Sequence, residues 1–92
     1  MGCSTGLSAY IYQNTVKNNY QTGVYSTGKL ASIYYNTASY NKQNGIYSSG
    51  AKAKIAKNTA RNNKLYGIYS KGKGSKVASN TASGNTKRNI KS

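Results

Sequence analysis

The stretch Gly45–Tyr66, GIYSSGAKAKIAKNTARNNKLY, decides the fold. The next residues, Gly67–Arg88, open with the same Gly-Ile-Tyr-Ser and later run Val77-Ala78-Ser79-Asn80-Thr81-Ala82, matching Ile55-Ala56-Lys57-Asn58-Thr59-Ala60 at a spacing of 22. Working outward, the same period divides the chain into units 1–22, 23–44, 45–66 and 67–88, with 89–92 opening a fifth, and no insertion or deletion is needed. A fixed period of this length marks a solenoid, in which each unit stacks on its neighbours.

The columns of the repeat carry physical meaning. Gly23, Gly45 and Gly67 head their units, and Gly6, Gly28, Gly50 and Gly72 recur five positions later. Aliphatic columns run Val24, Ile46, Ile68 and Ile11, Ile33, Ile55, Val77; a smaller one runs Val16, Ala38, Ala60, Ala82. Two asparagine columns stand at Asn14, Asn36, Asn58, Asn80 and at Asn19, Asn41, Asn63, Asn85. Within a unit the apolar spacing is two, and the Tyr, Val, Ile and Thr content suits strands. Helix is excluded by glycines and asparagines that interrupt it every few residues. A unit of two or three short strands cannot bury its own apolar face. It must therefore stack at about 4.8 Å on the next. Asparagines placed above one another then exchange amide hydrogen bonds and tolerate the turns that end strands. The glycines are expected to supply positive φ or close backbone approach at the corners.

Gly-Ile-Tyr-Ser-x-Gly, Ile-Ala-Lys-Asn-Thr-Ala and the closing Asn resemble the right-handed parallel β-helix repeat family of the pectate-lyase-like superfamily, along essentially the whole chain. The resemblance implies an all-β solenoid, here a single domain of four 22-residue coils, with three parallel sheets and an asparagine ladder on the Asn14 to Asn80 column. It also implies a bacterial secreted or cell-surface location. The chain departs from the family in its alanine-lined third column, which predicts a thin core, and in starting and ending in mid-register. It reads as a fragment of a longer solenoid, or as one whose open strand edges favour self-association.

Charge is the second constraint. Fourteen Lys and Arg face no Asp, Glu or His, a formal charge of +14, so no side-chain salt bridge can form. Enzymes of this superfamily use carboxylates as acid and base or as calcium ligands. None is present, which predicts no enzymatic activity, no metal site and no cofactor. A lone cysteine, Cys3, allows no internal disulfide. No stretch is apolar enough to cross a membrane, and none reads as a signal peptide. Met1-Gly2-Cys3-Ser4 resembles a dual acylation signal, but the same residues fill repeat columns, and Gly6 stands where that signal prefers Ser or Thr. The Thr15, Thr37, Thr59, Thr81 column lacks the second Thr file of ice-binding solenoids.

A strongly basic surface attracts polyanions. The gradient is steep: units three and four carry five cations each, unit one carries Lys17 alone, and seven of ten tyrosines lie in the first 44 residues. The candidate binding residues are the outward column Tyr25, Tyr47, Tyr69 and the cationic set Lys52, Lys54, Lys57, Lys71, Lys73, Lys76, with Lys76 stacked on Lys54. Tyrosines flanked by lysines stack sugars or unpaired bases while the cations hold phosphate or uronate. The same ladder also serves ordinary cross-rung packing. The expected partner is an anionic polymer, polysaccharide ahead of nucleic acid. The alternatives are a self-assembling structural solenoid and a nucleic-acid-binding basic module.

Overall fold

The structure, a computed structural model, describes the backbone of residues 2–4 and all of residues 10–91. Gly6, Ser92 and the acylation reading of the Gly2 and Cys3 side chains lie outside the described residues. Among the described residues, thirteen strands form three parallel sheets. Sheet one stacks β1 (Gly2–Ser4), β4 (Val24–Ser26), β7 (Ile46–Ser48), β10 (Tyr66–Ser70) and β13 (Arg88–Lys91). Sheet two stacks β2 (Tyr10–Tyr12), β5 (Ser32–Tyr34), β8 (Lys54–Ala56) and β11 (Lys76–Ala78). Sheet three stacks β3 (Thr15–Lys17), β6 (Thr37–Ser39), β9 (Thr59–Arg61) and β12 (Thr81–Ser83). Every rung pairs in parallel with the residue 22 positions away, as in Ile33 with Ile55 and Ile46 with Ile68. Four turns of a β-solenoid result, as the period requires.

The core lies where the sheets face one another. Strict alternation turns Val24, Ile46 and Ile68 inward from sheet one, Ile11, Ile33 and Ile55 from sheet two, and Val16, Ala38 and Ala60 from sheet three. Val77 and Ala82 pack against this cluster half-buried. Burying one isoleucine contributes about 1.5–3 kcal/mol, so the isoleucine columns carry most of the apolar stabilisation and the alanine column little. Sheet one also turns Ser26, Ser48 and Ser70 inward, and the hydroxyls of Ser26 and Ser48 have no hydrogen-bond partner.

Both asparagine columns form ladders. The Asn58 Oδ1 accepts from the Asn36 backbone N–H at 2.9 Å and from its Nδ2 at 3.0 Å. The Asn58 Nδ2 donates back to the Ile33 carbonyl at 2.8 Å and forward to Asn80 Oδ1 at 3.0 Å. Asn63 does the same between Asn41, the Ala38 carbonyl and Asn85. The resemblance implied a ladder on the first column. The second column is its equal, because both stand two residues after a strand, at a sharp corner.

The corners decide between the two roles expected of the column glycines. Positive φ comes from the residue before each asparagine: Gln13, Tyr35, Lys57 and Ser79 in one file, Asn18, Tyr40, Asn62 and Gly84 in another, all near +55 to +66°. A third file, Leu30, Lys52 and Gly74, turns sheet one into sheet two. The column glycines act by close approach instead. A Cβ on Gly50 would strike the Gly28 carbonyl of the coil beneath, and one on Gly45 would sit 2.6 Å from the Asn63 amide. Leucine, lysine and tyrosine hold the left-handed conformation because the rungs above and below fix it, at about 1–2 kcal/mol each.

Asn58→Ala leaves the Asn36 backbone N–H buried without its acceptor and takes one bond each from the Asn36 amide and the Ile33 carbonyl, and is expected to cost about 3 kcal/mol or more in denaturant unfolding. Leu30→Gly, matching Gly74 in its own column, relieves the strained φ of 60°. It is expected to raise stability by up to about 1 kcal/mol, the gain being cut by glycine's freedom in the unfolded chain.

Candidate functional site

The outer face of sheet one carries the tyrosine ladder. Alternation that buries Val24, Ile46 and Ile68 sends Tyr25, Tyr47 and Tyr69 outward. The Tyr25 and Tyr47 rings stack at 5.2 Å and 15°, and Tyr47 meets Tyr69 at 5.3 Å and 67°. Tyr66 joins at 4.8 Å from Tyr69, and the Lys91 Nζ lies 5.8 Å from both ring centres. Lys91 occupies the next rung of the column, where a further tyrosine would stand.

The expected lysines wrap around an edge. Lys71 directly follows β10, and Lys52 and Lys73 sit in the corner between sheets one and two, where the Lys52 N–H donates to the Lys73 carbonyl at 2.9 Å. Lys54 and Lys76 point outward from sheet two in register, with Ala53 and Ile55 buried. Lys57 stands at the next corner with φ 57°. The tyrosine column and the lysine set therefore occupy two adjoining faces that meet at the first corner. The reason is geometric: positions three and ten of the unit belong to different sheets.

Two further surfaces come into view. On sheet two, Tyr10 stacks on Tyr12 at 5.3 Å and 14°, Tyr12 meets Tyr35 edge-on at 5.5 Å, and Tyr10 meets Tyr34 edge-on at 6.4 Å. Tyr10 is 63% exposed. The Lys57 Nζ lies 5.7 Å over the Tyr35 ring, beside a recess of about 340 Å³ lined by Tyr34, Tyr35, Ala56 and Lys57. Between sheets three and one, a groove of about 500 Å³ runs along the axis past Asn18, Tyr40, Lys42, Asn62, Lys64 and Thr86. Arg61 lines a smaller recess on the other flank of Tyr40 and Asn62. The sequence signalled none of these groups as a set, because each draws on several columns and no column keeps the same residue through all four coils.

The side chains on offer are ammonium and guanidinium donors, carboxamides, hydroxyls and phenol rings. With no side-chain carboxylate or imidazole in the sequence, these cations stand without an acidic side chain to pair with. Among the described residues no helix is long and apolar enough to cross a membrane.

A family model described as a right-handed β-helix region matches residues 2–91, nearly the full chain. No curated protein and no solved structure matches it. Parallel rungs at a 22-residue interval, two asparagine ladders and this match over residues 2–91 agree: the chain belongs to the right-handed β-helix family.

Proposed function

We propose that this β-helix is a non-catalytic module of a secreted or cell-surface protein that holds an anionic polymer, a polysaccharide bearing uronate or phosphate in the first instance. The observation carrying this reading is the in-register stacking of cations with no acid anywhere in the chain, typified by Lys54 over Lys76. Like charges placed directly opposite on neighbouring strands repel. A polymer whose anions lie over such a column removes that repulsion and releases counterions at the same time. The tyrosine ladder of sheet one adds flat apolar surface beside the lysine corner, suited to the faces of sugar rings. The secreted or surface location rests on the β-helix resemblance.

Binding to heparin should weaken steeply with salt, on the order of a thousandfold between about 50 and 200 mM if some six anionic groups are contacted. A chain that flows through a heparin column at low salt would end this reading. Lys54→Gln with Lys76→Gln should lower the salt slope by about two while leaving the fold intact by circular dichroism. For the sugar-stacking component, Tyr47→Thr should weaken binding of a uronic-acid oligomer by more than it lowers unfolding stability. Equal losses would leave the ladder a packing device alone.

A further inference from the structure

The geometry points to the outer face of sheet two as a platform for unpaired nucleotides, with bases stacking on Tyr12 and Tyr35 and phosphates held by Lys54, Lys57 and Lys76. Its electrostatic half rests on the polyanion reading above; its aromatic half stands on separate observations. Tyr10, Tyr12 and Tyr35 are all exposed, and Tyr12 meets both of the others, so three rings face solvent within two coils. Immediately along the same face the outward residues change to cations: Ser32 is followed by Lys54 and Lys76 in one file, and Tyr35 by Lys57 in another.

Apolar and cationic surfaces thus adjoin at rung spacing, about 4.8 Å, on one parallel sheet. An aromatic platform beside a row of cations is the arrangement that binds single strands without regard to sequence, since every base has a flat face. The recess beside Tyr34 and Tyr35, floored by Ala56 and flanked by Lys57, gives one base an apolar wall and its phosphate a cation. A neutral hydroxyl-rich sugar is served less well here. The face has no carboxylate to accept from hydroxyl groups, and its asparagines are turned into the ladders.

Charge attraction and base stacking make opposite forecasts, which allows a clean test on the intact chain. Attraction alone favours duplex DNA, whose phosphates are denser. The platform favours a single strand whose bases are free. Fluorescence anisotropy at fixed salt should therefore show oligothymidylate binding more tightly than both a duplex and an abasic strand of equal length. The margin over the abasic strand should be on the order of tenfold for each base stacked. The triple variant Tyr10→Ser, Tyr12→Ala, Tyr35→Ser places at each site a residue that its own column uses in another coil, as in Ser32, Ala56 and Ser79. It should lose that margin while retaining the heparin affinity of the parent chain.

Abasic and thymidylate strands binding equally to the parent chain would overturn the platform and leave the polyanion reading standing. This comparison needs no variant to fold. A margin that survives the triple substitution would also overturn it. So would a uronic-acid oligomer that loses as much affinity as thymidylate in the variant, which would assign the rings to sugar. Absence of all binding, heparin included, would remove both readings together.

Discussion

A parallel strand stack leaves its corners short of partners, and in this protein two of the three corners between sheets are closed by an asparagine in each coil. The side chain of Asn36 or Asn58 serves three coils at once: it accepts two hydrogen bonds from the coil before, donates to a carbonyl of that same coil, and donates to the asparagine after. No other neutral side chain of that size offers an acceptor and two donors in one plane. The strands are three residues long for the most part, too short to define a register by themselves. Register is set because a slip of one residue would orphan a buried amide on every rung and turn the isoleucines out to solvent.

From this follows the division of labour around the ring. Because ladders hold the second and third corners, the residues just before them can be large and charged while sitting at positive φ, as Tyr35, Tyr40 and Lys57 do. Those corners are then available to the surface. The tyrosine cluster, the lysine column and the axial groove all lie on or beside such positions. The thin alanine column has the complementary effect. It lets the asparagines approach the axis, and leaves the isoleucine columns as the main apolar cement.

The fold was legible in the sequence because its strongest constraints act at single columns. Asparagine has no substitute at Asn58, and glycine none at Gly50 above the Gly28 carbonyl, so identity recurs and the eye finds it. The corner conformation was not legible. Left-handed φ at Gln13, Tyr35, Lys57 and Ser79 is enforced by neighbours, and the side chains there are free to vary. The binding surface was read in part for the same reason. Tyr25, Tyr47 and Tyr69 share one column and were visible as a ladder, whereas Tyr10, Tyr12 and Tyr35 come from three columns and meet only once the chain is wound.

The ladders also give the stack a direction. Among backbone bonds the donor lies now in one coil and now in the next, as Val24 donating to Gly45 and Thr37 donating to Asn14 illustrate, and their dipoles largely cancel along the axis. The asparagine side chains do not alternate. From Asn14 to Asn80 and from Asn19 to Asn85, every Oδ1 faces the coil before it, so the carboxamide dipoles add head to tail and polarise one another. A solenoid whose strands run across its axis thereby acquires a positive and a negative end. The positive one coincides with the coils richest in lysine, so the interior of the protein reinforces the field its surface presents.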